Sequence, residues 1–178
     1  LGASPLAFDA AGTPADWSRA IETALGRTGS LQARKAAAER AVSLAQSEGW
    51  TDGRAAFSHF ALGRIMAGTE PERALDAFRR AGSIYAGQPG GAVQVAHVDM
   101  QLAAMALAGG LAEEAVQLAD RAIPTVERSQ NFALLATLML IKAEALEQLG
   151  NPTAAAALRM DSAPYARYGF GPDSVVRD

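Results

Sequence analysis

The strongest constraint on how this chain can fold is a recurring pattern of small residues around short turns. Leu62-Gly63-x-x-Met66 leads to Ala74, Leu102-Ala103-x-x-Ala106-x-x-x-Gly110 to Ala115, and Ala143-x-x-Leu146-x-x-x-Gly150 to Ala155. The three alanines are spaced 41 and 40 residues apart. Self-similarity at such a period signals stacked supersecondary units, none of which can bury its apolar face alone. Gly63, Ala103 and Ala143 are expected to face Ala74, Ala115 and Ala155 across each turn, so that two antiparallel helices approach closely. Glycine in the turn accepts the left-handed backbone that ends a helix.

Breaker residues divide the chain into eight helical segments of even length. Thr13-Pro14-Ala15-Asp16 opens the first, which reaches about Leu25. The second spans about Leu31 to Glu48, the third runs from a cap at Thr51 or Asp52 to Ala67, and the fourth starts at Thr69-Glu70-Pro71-Glu72 and ends near Ala86. The fifth covers about Ala92 to Ala108 and the sixth about Leu111 to Glu127, with Pro124 disturbing its last turn. Ser129 is expected to cap the seventh, which ends at Leu149-Gly150; Asn151-Pro152-Thr153 opens the eighth, which fades around Asp161.

Apolar spacing supports helices over strands. Ala74, Phe78, Ala81 and Tyr85 lie on one face of a 3.6-residue period, as do Ala115, Leu118, Ala119, Ala122 and Val126. The seventh segment has Leu135, Met139, Ala143 and Leu146 on one stripe, yet Phe132, Leu138 and Ile141 spread apolar surface to its other sides. A helix apolar nearly all round packs on two sides, as stacked hairpins require.

Composition narrows the function classes. Hydrophobic residues make up 49% of the chain, with aromatics only 6%, so alanine carries much of the apolar content and favours helices. A net charge of -3 and a pI near 5.4 leave no electrostatic footprint for nucleic acid. The absence of cysteine removes disulfides, thiolate nucleophiles and cysteine-based metal sites. No apolar run reaches the roughly 18 residues of a membrane span. Leu1-Gly2-Ala3-Ser4-Pro5 reads as the tail of a signal peptide or as an arbitrary leader, and periplasmic or exported placement is favoured over cytoplasmic.

The repeated residues resemble the tetratricopeptide repeat family. The resemblance covers about Gly53 to Asp161, and Ala15 to Gly49 by helix-pair geometry alone. The period here is longer than the roughly 34 residues of that family. Its Trp, Tyr and final Pro are mostly missing, and Phe78 is the best aromatic match. The resemblance implies an all-α chain forming an α-α superhelix, a right-handed solenoid of about four antiparallel helix hairpins. Residues 13–162 would form the repeat domain, between a leader at 1–12 and an irregular aromatic tail at 163–178.

In such a solenoid the first helices of the hairpins line a concave surface that commonly takes peptides or partner helices. The inward candidates are Phe57, Phe60 and Arg64, then His97, Met100 and Ala104, then Thr137, Leu140 and Glu144. The competing reading places these side chains in the core, evenly balanced for Phe57 and Phe60 and favoured for Leu140. Some members of the family grip a peptide C-terminus with Lys, Asn and Arg. Here Arg64 has no such companions, because Met100, Gln101, Thr137 and Ile141 occupy the neighbourhood, so that clamp is not expected.

Other constellations read as structural. His59 and His97 are the only histidines, without ligand spacing for a metal. Ser58 and His59 diverge as helix neighbours, so they do not form a nucleophile and base pair. Glu113-Glu114 suits a helix first turn. Gly87-Gln88-Pro89-Gly90-Gly91 lacks the Lys-Ser/Thr of a phosphate loop, and Asn151-Pro152-Thr153 is excluded as a glycosylation acceptor by its proline. The tail around Tyr165, Tyr168 and Phe170 is expected to cap the open solenoid end or to serve as a recognition segment. The expected function is a non-enzymatic interaction module with a protein or peptide partner, no cofactor, no metal and no nucleic acid. The alternatives are a scaffold or regulatory domain of a larger enzyme or signalling protein, and a solenoid that forms homo-oligomers.

Overall fold

The computed structural model describes residues 13–169, with side chains placed through Arg167. The helices are α1 (Thr13–Leu25), α2 (Leu31–Ser47), α3 (Gly53–Met66), α4 (Pro71–Ala86), α5 (Ala92–Ala108), α6 (Ala112–Ser129), α7 (Phe132–Gln148) and α8 (Pro152–Gly169). Among the described residues there is no strand, and the protein is all-α. The described residues form two compact units, one ending at Ile84 and the other beginning at Tyr85.

The turn chemistry of the repeat is visible bond by bond. Gly110 and Gly150 both adopt left-handed backbone, with φ of 77° and 79°. After α5, Leu111 N–H donates to the Ala106 carbonyl at 2.8 Å; after α7, Asn151 N–H donates to the Leu146 carbonyl at 2.9 Å. Each glycine N–H closes the inner bond, Gly110 to Leu107 at 3.1 Å and Gly150 to Glu147 at 3.0 Å. This double closure satisfies the orphan carbonyls of a helix end and turns the chain straight into the next helix.

In the first unit α1, α2 and α3 pack in sequence, and α1 also touches α3. Ala20, Ile21, Ala41 and Ala61 form a core cluster, with Trp17, Leu25 and Phe57 laid against it. α4 joins through a notch. A Cβ at Gly63 would lie 2.8 Å from the ring of Phe78, which is fully buried. The sequence paired Gly63 with Ala74; the space it leaves is filled by Phe78, one turn further along α4. Lys35 of α2 pairs with Glu70, which also binds Arg73 at 2.5 Å, tying the start of α4 to α2.

In the second unit each helix packs on the next, and α5 also lies against α7. Its larger core cluster joins Ala96, Ala119, Ala122 and Val126 to Leu134, Leu135, Leu138 and Met139. Leu138 has no exposed surface, so its burial contributes about 2 kcal/mol. A second cluster of Ala106, Ala112, Ala115 and Ala145 lets α5, α6 and α7 approach on small side chains. Contact between chain neighbours, and between the first helices of successive hairpins, is the packing of a helical repeat.

Two local readings are corrected. Ser129 is the last residue of α6 and does not cap α7; its hydroxyl donates back to the Val126 carbonyl at 2.9 Å. The left-handed residue is Gln130, with φ of 56°, and Asn131 caps α7 by accepting from Leu134 N–H at 3.2 Å. A carboxamide at this position reaches the free first-turn amide, whereas Ser129 still lies inside the preceding helix.

The second correction concerns the tail. α8 continues past Asp161 to Gly169 with Pro164 inside it, so residues 163–169 are helical, not irregular. The reason is tertiary. Ala155, Leu158, Ser162 and Tyr165 recur on one helical face; Ala155 and Ser162 are buried, and Leu158 and Tyr165 pack on the main core cluster. That face outweighs the single backbone bond lost at proline. The leader at 1–12 and the last residues, 170–178, lie outside the described residues, as does the Tyr168 side chain.

Candidate functional site

All nine residues of the expected partner-binding stripe lie at positions that are half-buried or exposed. Phe57, Phe60 and Arg64 are on α3 in the first unit. His97, Met100 and Ala104 on α5 and Thr137, Leu140 and Glu144 on α7 are in the second, where those two helices touch. Leu140, for which core was favoured, is half-buried.

On α3 the aromatic side chains are anchored and open at once. Phe57 rests on the Ala20, Ile21, Ala41 and Ala61 cluster. Its ring stacks on that of Phe60 at 6.2 Å between centroids and 17° between planes. Phe60 in turn meets Phe78 edge-on at 5.6 Å. Core atoms beneath fix the two rings, which both remain half-exposed. Arg64, one turn beyond Phe60, is exposed and has no ion-pair partner among the described residues.

Sequence reasoning missed the extension of this surface. Trp17 of α1 donates its indole N–H to Ser58 Oγ of α3 at 2.8 Å, and Ser58 donates to the Arg54 carbonyl at 2.8 Å. The Ser58 hydroxyl is fully buried and committed to these two bonds. Trp50 meets Trp17 edge-on at 6.1 Å, and the Arg54 guanidinium lies 3.7 Å from the Trp50 ring centroid. Asp52 holds that guanidinium, with Nη2 to Oδ2 at 2.8 Å, and caps α3 by accepting from Arg54 N–H at 3.0 Å. The Arg54 hydrogen bond lowers the Asp52 pKa against the opposing effect of burial. The one local signal was the run from Trp50 to Arg54, an aromatic and a cation flanking the capping Asp52.

In the second unit Met100 packs on the main core cluster, and the Thr137 hydroxyl donates to the Ala133 carbonyl at 3.0 Å. Burial lowers the His97 pKa. Two residues further on, Asp99 is only 3% exposed, and Arg121 of α6 grips its carboxylate through Nη2 at 2.5 Å and Nε at 3.0 Å. Its hydrogen bond to Asp99 raises the Arg121 pKa. This pair borders a cleft of about 410 Å³ with Gly91, Val95 and Thr125.

His59 of α3 does not belong to the aromatic surface. It lines a cleft between α2, α3 and α4 with Leu62, Asp76 and Arg80. Burial lowers its pKa, Arg80 adds to the effect and Asp76 opposes it. Among the described residues no three His, Asp or Glu side chains group as metal ligands, and no helix is long and apolar enough to cross a membrane. No protein-family model matches this chain, and no curated protein matches it.

Proposed function

We propose that this chain is a non-enzymatic interaction module of tetratricopeptide-repeat type, holding a peptide or helix of a protein partner on the first helices of its hairpins. The observation that carries this reading is the exposure pattern on α3, α5 and α7. Their small residues Gly63, Ala103 and Ala143 are buried, while Phe60, Met100 and Leu140 stay part-exposed. Half-exposed aromatic side chains fixed from below on rigid helices lose little entropy on binding, and Met adapts its shape to a partner; both supply the anchors of interaction surfaces. A peptide laid along such a helix gains apolar contact without reorganising it.

Capture of partners from an extract of the producing cells, compared between wild type, Phe60→Glu and Met100→Glu, tests the reading. Loss of the same captured species with both variants, at unchanged helix content, is expected. Retention of capture by both would contradict it.

A further inference from the structure

We infer that the α1–α3 face of the first unit takes a peptide segment in which an apolar anchor is followed by a carboxylate side chain, a choice of partner chemistry that rests on the interaction reading above.

The argument begins with charge on α3. Gly53–Met66 carries Arg54, Arg64 and His59 and not one Asp or Glu. Arg54 is already satisfied, forked by Asp52 and laid on Trp50. Arg64 is different: it is exposed, and no carboxylate pairs with it among the described residues. It stands seven residues beyond Phe57, two helical turns or about 10 Å along the axis. The exposed part of α3 therefore presents two fixed aromatic rings and then an uncommitted guanidinium. A guanidinium offers a planar fork matched to a carboxylate.

A ligand reading along this face would seat an aliphatic or aromatic side chain over Phe57 and Phe60. Their centroids are only 6.2 Å apart, too close for a side chain to slip between them, so the anchor lies across both rings. An Asp or Glu about one turn away then meets Arg64. A basic peptide of the same shape would place like charge against Arg64 and be rejected. Trp17 and Trp50, the only two tryptophans of the chain, border the face through the Trp17–Ser58 bond and the Arg54 stack, so occupancy should register in their fluorescence.

The test is selection of a random-peptide display library on the whole protein, on Arg64→Glu and on Phe60→Glu, followed by titration of a selected peptide by tryptophan fluorescence. Where Phe60→Glu loses helix content, Phe60→Ala replaces it; Arg64 is exposed, so its variant keeps the fold. The expected result is an apolar-acidic consensus on wild type that turns to apolar-basic on Arg64→Glu, with about a tenfold loss of affinity for the original peptide. A consensus that needs Phe60 but ignores the sign at position 64 would overturn the charge inference and leave the interaction reading standing. Peptides indifferent to both variants, or no enrichment at all, would overturn both.

Discussion

Arg121 of α6 closes over the carboxylate of Asp99 on α5 with two of its nitrogens, at 2.5 and 3.0 Å. The pair is lopsided: the Asp99 side chain is 4% exposed and that of Arg121 63%. A buried carboxylate thus depends on a cation that stands largely in water.

That asymmetry sets the first prediction. Arg121→Ala strands the Asp99 charge in the interior and should cost about 2 kcal/mol, less than a fully buried pair because water can reach the vacated site. Replacing both partners with apolar residues, Asp99→Leu with Arg121→Met, should recover most of the loss. Urea unfolding followed by circular dichroism measures both; an Arg121→Ala variant as stable as wild type would contradict the dependence.

The notch at Gly63 gives the second. Alanine there would push a methyl group to 2.8 Å from the ring of Phe78, which is fully buried. Overpacking of this kind should destabilise the first unit by about 1–3 kcal/mol. Phe78→Leu, introduced together with Gly63→Ala, should remove part of the penalty by shortening the opposing side chain. A thermal melt in which Gly63→Ala matches wild type would show that α3 and α4 are not in such contact.

The third concerns pH. His59 and His97 both have folded pKa values below the ordinary 6.5, chiefly through burial. The unfolded chain therefore takes up protons near that value while the folded chain does not. Stability present above about pH 6.5 is lost as the pH falls below it, and the loss levels off once the folded imidazoles protonate. Asp52 acts in a lower window, because its lowered pKa gives stability that is lost only as carboxylates protonate. Urea midpoints at about pH 7.5 and about pH 5.5 should fall for wild type and fall less for His59→Gln combined with His97→Gln. Equal slopes would contradict burial of the two rings.

The fourth concerns α8, where Pro164 sits inside a helix that continues to Gly169. Pro164→Ala should restore one backbone bond and stabilise the second unit by about 1 kcal/mol, less than the interior value because the helix end is near. Tyr165→Ala should act the other way, since its ring stacks on Phe132 at 5.6 Å and packs on the main core cluster. If residues 163–169 were irregular, Pro164→Ala would leave helix content and stability unchanged.

What the sequence disclosed and what it withheld divide along local and tertiary lines. The turns at Gly110 and Gly150 were legible because a glycine, a left-handed φ and the closing bonds all belong to a few consecutive residues. The end of α8 was not, because Pro164 and Gly169 are local breakers while the burial that overrides them comes from α7. On the candidate surface, Phe57, Phe60 and Arg64 could be found by helical spacing on one element. Trp17 could not be joined to Ser58, nor Asp99 to Arg121, since those pairs are 41 and 22 residues apart and only packing brings them together.

Site-specific photo-crosslinking in the producing cells tests the interaction reading most directly. A benzoylphenylalanine placed at position 60 or 100 faces the proposed partner, whereas the same group at the exposed positions of Arg79 on α4 or Gln117 on α6 lies on second helices of the hairpins. Adducts with a shared protein species from positions 60 and 100, and none from 79 and 117, are expected. Adducts from 79 and 117 with none from 60 and 100 would contradict the assignment of partner binding to the first helices.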